Sequence, residues 1–466
     1  MSLSSDSREH PLNQASKNQE MNTYEVETKA SFDDIENVIR SADSLRGNSA
    51  EIVSLVKSRL NINFDSESLA KLESSRFDFN DLYCQSVFAK FIDMSEVFFK
   101  KDPLHGQNKA EAEQKFKELG FHAVGIATCS DGRLAHLVSY ALRLPYTLVR
   151  RKSHAGVLFD ISESVRNWVF VEYERFRSGA VSSVNDPTKY LKIAVYHYSK
   201  SEPLKQGCAA HGSDDVKAAE AAKSKLEDFS QAIENRFGCS SSVQTLLIGM
   251  NTDDDSLKIH VPNKSGKVCL DRYIDTSILF HQTNDMNAKQ ARLKIKDSIL
   301  ECNSGRSSDV ATESMQELVA WFVENNFSQI AYVNQYEKGC YSDIGHAERF
   351  IGVGNGFEEV QLRNLSYYAY LDTVEEGIND LNVGIKIFTG LNLKKGLPIP
   401  IIIRCNYDGR VPGSRERASI KAARIENALH VQYEDLSANK TLQTLCTLRD
   451  YKSNQPAEKL LASDYH

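Results

Sequence analysis

The sequence predicts an α/β protein with a small helical domain at its N-terminal side, an α/β domain carrying a metal-type constellation, and a degraded copy of that domain. Three observations carry this prediction. Short apolar runs at 121–126, 190–198 and 398–404 alternate with helical patterns, as strands and helices of a buried sheet do. Residues 31–101 show helical periodicity alone. The last third then echoes the middle: 350–354 with 365–371 resembles the strand–helix pair at 124–142. The run 398–410 resembles either the strand before Cys129 or the strand bearing His197. Boundaries follow at 1–30 (disordered tail), 31–104 (helical domain), 105–345 (catalytic-type domain) and 346–466 (degenerate copy without metal).

The tail is rich in Ser, Asn, Gln, Glu and Lys and has almost no large apolar side chains up to about Glu27. Such a segment buries too little surface to offset its ordering entropy. In the helical domain, Ser31 reads as an N-cap ahead of Phe32, Asp33 and Asp34, with acidic residues suiting the first turn. Ile52, Leu55, Val56 and Leu60 form a second stripe, and 81–99 a strongly apolar third one holding Cys84 as a packed thiol. The stretch 101–106 is rich in turn formers and marks a boundary.

The following α/β segment opens with a helix at 110–119 and a strand at 121–126 leading into Cys129-Ser130-Asp131-Gly132-Arg133. A helical pattern at 134–142 follows. Cys, Asp and Arg at alternate positions past a strand end sit where α/β sheets place their chemistry. The spacing suits a zinc site. A thiolate ligates, a carboxylate two residues on faces the water that the metal activates, and an arginine holds that carboxylate ionised. The rival reading is a structural Cys beside a capping Asp and a surface Arg.

Further along come a β-rich run at 157–160, a helix at 163–177 and a strand at 190–198 whose end carries His197. Cys208 lies eleven residues after His197. Ser213 reads as the cap of a long helix to Phe237, and strands at 244–250 and 257–261 flank an Asp-rich turn. Cys129, Cys208 and one imidazole would leave tetrahedral zinc with an open position, the catalytic pattern. The imidazole is His197 or His211, and the physics of the sequence leaves both open; His211 also reads as a helix-end hydrogen-bonding group.

Toward the C-terminus, 329–333 reads as a strand and a new unit begins near His346. Cys405, Asp408 and Arg410 lack a partner His for a second metal site. Arg404, Arg410, Arg415, Arg417, Lys421 and Arg424 read as a solvated face, with an anion or acidic-partner site as the sharper alternative. His346-Ala347-Glu348 lacks the Pro-Cys-x-x-Cys of zinc deaminases, and the glycines at 352–356 lack dinucleotide spacing.

Composition narrows the function classes. A net charge of −7 argues against a general nucleic-acid binder, and 41% hydrophobic with 26% charged residues is ordinary for a globular chain. No run approaches the length of a membrane helix, and no signal-peptide core opens the chain, so an intracellular protein is expected. Nine Cys without regular spacing leave thiols for metal or redox roles.

Taken together, Cys129-Ser130-Asp131-Gly132-Arg133, His197-Tyr198-Ser199, Gly207-Cys208-Ala209-Ala210-His211-Gly212 and Thr245-Leu246-Leu247-Ile248-Gly249 resemble the carboxysomal carbonic anhydrases. These are divergent relatives of the β class, once called ε. The resemblance runs from about Ser31 to the end of the chain. It implies one Zn²⁺ on Cys129, His197 and Cys208, an Asp131–Arg133 dyad, and interconversion of bicarbonate and carbon dioxide for RuBisCO inside the carboxysome. It also implies a metal-free second half that mimics the two-fold pairing of β-class enzymes, and a homodimer or oligomer of dimers. The tail then becomes a candidate docking peptide for RuBisCO or shell protein. The eleven-residue step from His197 to Cys208 departs from ordinary β-class spacing. His136 and His211 are the histidines near the motifs, but no proton shuttle is identified. Two rivals are a structural zinc protein and a redox-gated one in which Cys129 and Cys208 pair when zinc leaves.

Overall fold

The computed structural model describes residues 15–461 apart from 43–44, 46–47, 102–108, 147, 181–182, 184–185, 303–309, 337, 372–373 and 454. The boundary expected at 101–106 therefore lies almost wholly outside the described residues, as do residues 1–14 of the tail. In chain order the helical segment holds α1 (Ala15–Ala42), α2 (Ser49–Leu60), α3 (Ser66–Ser74) and α4 (Phe79–Lys101). Then follow α5 (Lys109–Glu118), β1 (Ala123–Thr128), β2 (Arg150–Ser153), α6 (Ile161–Arg177), β3 (Tyr190–Tyr198) and α7 (Asp215–Phe237). Next are β4 (Val243–Asn251), β5 (Leu257–His260), β6 (Ile274–Asp275), α8 (Thr276–Thr283), α9 (Ala288–Cys302) and α10 (Glu313–Val333). The last part holds β7 (Phe350–Gly354), β8 (Ser366–Tyr370), α11 (Val374–Leu391), β9 (Ile399–Tyr407), α12 (Ser414–Gln432), α13 (Glu434–Ala438), β10 (Leu442–Asp450) and β11 (Glu458–Lys459).

Two compact units emerge. The first holds His105–Cys129 and His136–Gly345, with the described part of Met1–Glu20; the second holds Met21–Leu104, Ser130–Ala135 and His346–His466. The helical segment, expected as a domain of its own, shares one core with the C-terminal third. Phe32, Ile35, Phe88 and Phe91 pack with Phe350, Phe357, Tyr368 and Ile402. Four helices of this length need a partner surface to bury their stripes, and the second sheet supplies it.

The first unit is built on a sheet of order β2-β1-β3-β4-β5-β6. Its first four strands are parallel and its last two antiparallel. All nine residues of β3 are buried, which is why the strand reads as a nearly unbroken apolar run. Asp214 caps α7 by accepting from the Lys217 N–H, and Gly238 ends it in the left-handed region.

The second unit repeats this plan with order β8-β7-β9-β10-β11, parallel until the antiparallel β11. The two sheets align residue by residue. Thr128 of β1 pairs with Val195, sixth in β3, and Gly354 of β7 pairs with Arg404, sixth in β9.

Several local expectations are corrected. Residues 15–30, expected within the disordered tail, belong to α1, whose buried Glu25 accepts from the Arg363 N–H. Lys, Gln and Glu are fair helix formers, and one buried carboxylate with a backbone partner anchors what apolar content alone would not. Ser31 sits mid-helix, its hydroxyl donating to the Thr28 carbonyl, so it is no cap. Residues 329–333 close α10 instead of forming a strand; their short apolar run at 330–333 continues the helical set Leu318, Phe322, Val323, Phe327 and Ile330. Residues 366–370 form β8, not a helix. Residues 157–160 make a tight turn with Val157 at positive φ, followed by the Asp160 cap of α6. Residues 134–142 wind as a 3-10 turn, Gly132–His136, and a wider π turn, Leu137–Ala141, and not as one α-helix. Asn326 and Asn325 of α10 donate to the carbonyls of Ala141 and Leu142, completing bonds that an α-helix would make itself. The cap of α7 is Asp214, with Ser213 at φ 62° just before it.

Candidate metal centre

In the first unit β1 leads to β2 on one side and to β3 on the other, so the strand order reverses between β1 and β3. Ligands bind outside the carboxyl ends of strands at such a reversal. Cys129 is the first residue past β1, and His197 is the penultimate residue of β3, one register step beyond it. Cys208 returns on the long excursion after β3. The Asp253 carboxylate, in the turn after β4, pins the start of that excursion by accepting from Ser199 Oγ and the N–H groups of Lys200 and Ser201, each at 2.8 Å. Its far end closes tightly: a Cβ on Gly207 would lie 2.8–3.0 Å from the Ser213 backbone, so only glycine fits.

Cys129, His197 and Cys208 are all buried, and their donor atoms lie within 4.8 Å of one another. The two sulfurs stand 3.8 Å apart. That is far from the roughly 2.05 Å of a disulfide. It matches the separation of about 3.8 Å for two thiolates at 2.3 Å on one tetrahedral zinc. The neighbouring Cys208 thiol, with burial, pushes the Cys129 thiol well above its ordinary range. A bound cation reverses that bias, since a coordinating thiol is deprotonated outright. The donor set thus fits zinc.

Of the two candidate imidazoles, His197 lies in this cluster. His211 Nε2 lies 3.0 Å from the Gly156 carbonyl oxygen and is outside the cluster. His136 is wholly buried, stacked on Tyr140, with Nδ1 2.9 Å from Asp255 Oδ2. Tyr341 and Gln329 donate to the same oxygen, so His136 serves a core network.

The chain passes from the first unit to the second at the Cys129–Ser130 bond. Asp131 and Arg133 belong to the second unit, where they form a buried bidentate pair. Arg133 Nε and a terminal nitrogen reach the two Asp131 oxygens at 2.9 and 2.6 Å, and the Arg133 N–H donates to Oδ1 at 2.9 Å. A second cluster meets them there: His346 Nε2 lies 3.7 Å from Asp131 Oδ2, and its Nδ1 lies 2.9 Å from Glu348 Oε1. Burial opposes charge on His346, but the Glu348 and Asp131 carboxylates outweigh it and raise the imidazole to about 9. Sequence reasoning discarded His346 and Glu348 with a motif they do not belong to. Their contact with residues more than two hundred positions earlier left no local signal.

The remaining candidates resolve differently. Cys405 is buried in the core of the second unit, while Asp408 and Arg410 pair at its surface. Arg404 leaves the basic cluster altogether: it is fully buried against the Glu359 carboxylate, with Phe91 and Phe357 over its guanidinium. Arg415 pairs with Glu458.

Two family models match the chain: the catalytic domain of carboxysome shell carbonic anhydrase over residues 111–346, and its C-terminal domain over 347–464. A carboxysome shell carbonic anhydrase from Hydrogenovibrio crunogenus is 60% identical over 97% of this chain and 86% of its own length. One from Prochlorococcus marinus strain MIT 9313 is 41% identical over 96% and 88%, and one from Halothiobacillus neapolitanus 44% identical over 79% and 73%. With nearly its whole length matched at this identity, the chain belongs to the carboxysome shell carbonic anhydrase family.

Proposed function

We propose that this carbonic anhydrase of the carboxysome works through a single zinc ion held by Cys129, His197 and Cys208, with Asp131 and Arg133 as its catalytic dyad. The observation that carries the reading is the buried Cys–His–Cys cluster at a strand-order reversal, with its sulfurs 3.8 Å apart. When bound, zinc supplies the Lewis acidity that lets a water act as a nucleophile near pH 7. Cys129, His197 and Cys208 are the side chains that would hold it. Asp131, kept ionised by the bidentate Arg133, accepts a hydrogen bond from the attacking water and orients it toward the carbon of carbon dioxide. His346 and Arg133 balance the charge of Asp131 and Glu348 within the second unit.

The same reading includes supply of carbon dioxide to RuBisCO and docking through the N-terminal tail. Because Glu25 is built into α1, the docking test is a deletion of residues 1–14 and not of 1–27. Release of an active enzyme from purified carboxysomes supports docking; unchanged packaging contradicts it. Self-association is also part of the proposal. Val169, Tyr173 and Phe176 line the outer face of α6 at four- and three-residue steps, with Phe170 beside them, all exposed.

Stopped-flow hydration of carbon dioxide before and after zinc removal by a chelator tests the core of the proposal. Activity lost with the metal and restored by zinc supports it. Zinc retained without activity favours a structural metal, and activity restored by a reductant alone favours redox gating of Cys129 and Cys208.

A further inference from the structure

The dyad segment is held on the second unit by contacts at Ser130, Asp131 and Gly132. The Tyr368 N–H donates to the Ser130 carbonyl and the Asn364 N–H to the Gly132 carbonyl, both at 3.0 Å. The segment is thus laid along β8, an edge strand of the sheet. Beneath it lies Glu348, 3% exposed. Its Oε1 accepts from the Gly132 N–H at 3.2 Å and, 2.9 Å away, meets Nδ1 of His346. The fit admits only glycine between Asp131 and Arg133. A Cβ on Gly132 would lie 2.8 Å from Glu348 Cγ, 2.9 Å from its Oε1 and 2.9 Å from the Ser366 carbonyl oxygen.

We infer that Glu348 is a positioning residue for the Asp131–Arg133 dyad: one buried carboxylate oxygen fixes the turn through Gly132 and aims the His346 ring at Asp131. The inference rests on the reading of Asp131 as the catalytic carboxylate and deepens it. It gives the C-terminal half of the chain, which contributes none of Cys129, His197 and Cys208, a part in the chemistry. A carboxylate that merely filled space would have no reason to bond the backbone inside the dyad. A carboxylate serving only His346 would not exclude a side chain at Gly132.

A double-mutant cycle on the full-length protein tests this, with kcat, KM and zinc content measured for Glu348→Ala, Asp131→Ala and the pair. Glu348→Ala is expected to lower kcat about 10–100-fold at unchanged zinc content, the usual cost of losing an outer partner of a reactive group. Glu348→Gln, which keeps an acceptor for Gly132, is expected to fall between. In the Asp131→Ala background, loss of Glu348 should change kcat less than about twofold, because a residue acting through Asp131 is not additive with it. Independent, multiplying losses would overturn the inference while leaving the dyad in place. Wild-type kcat in Asp131→Ala would overturn the dyad reading and this inference together. If the alanine variant fails to fold, Glu348→Gln carries the same cycle.

Discussion

The two sheets of this chain share one plan and differ at the strand ends where the proposed metal centre lies. In the first unit, the ends of β1 and β3 carry Cys129 and His197. In the second, the aligned positions past β7 and within β9 are Asn355 and Asn406, and the Asn406 N–H donates to Asn355 Oδ1 at 2.7 Å. An amide hydrogen bond closes the gap that a metal would bridge. Cys208, the third proposed ligand, lacks a counterpart for a different reason. Sixteen residues separate β3 from α7 and include Cys208, whereas six separate β9 from α12. A reversal in strand order therefore offers a position for a site, and the donors and loop decide whether one exists.

A second pair of regions makes the same point. Asp131-Gly132-Arg133 and Asp408-Gly409-Arg410 are the same short sequence in the same local geometry. The Arg410 N–H, Nε and a terminal nitrogen reach Asp408 at 3.1, 2.9 and 2.7 Å, close to the values for Arg133. The first pair is buried and meets His346 and Glu348. In the second, Arg410 stands 70% exposed. The local sequence makes the carboxylate–arginine pair; tertiary surroundings give it a use.

The largest expected effect comes from importing the residue of the second unit into the first. His197→Asn should abolish stoichiometric zinc binding and lower the hydration rate about 1000-fold or more, read by metal analysis and stopped-flow assay. The converse change, Asn355→Cys with Asn406→His, should add no zinc, since residues 408–413 after β9 hold no Cys or His and Asp408 is paired with Arg410; a second bound zinc would break the comparison. Next, Asp131→Asn should lower kcat about 10–100-fold, whereas Asp408→Asn should leave it within about twofold. Equal losses from both would show that the shared geometry, not burial, matters.

The smallest effect concerns stability. Lys192, third in β3, is buried with its ammonium donating to Ser164 Oγ, and burial lowers it to about 7; the aligned residue of β9 is Ile401. An unfolded lysine holds its proton to about pH 10.4. The unfolded chain thus binds more protons between about pH 7 and 10.4, and stability rises with pH across that window. Lys192→Ile should raise the unfolding midpoint by roughly 3–8 °C at pH 7 and flatten that rise, with activity unchanged. A lower midpoint would show that Lys192 earns a place the isoleucine cannot fill.

Much of this was legible in the sequence because it is periodic or local. Fully buried parallel strands such as β3 read as apolar runs, and Cys129, Asp131 and Arg133 sit within five residues. What escaped depends on contacts far apart in the chain. Nothing near Ser31 reveals that α1 begins at Ala15 and packs with the C-terminal third. Nothing near His197 excludes His211 until the loop closes on Gly156. The strand at 366–370 and the helix end at 329–333 are short apolar runs whose type periodicity cannot decide.

The most direct test of the central claim is the zinc content per chain measured alongside the carbon dioxide hydration rate, for the native protein and for Cys208→Ala. The account predicts one zinc per native chain, and loss of both metal and rate in the variant. Two zinc ions per chain, or a variant that keeps its rate without metal, would contradict it.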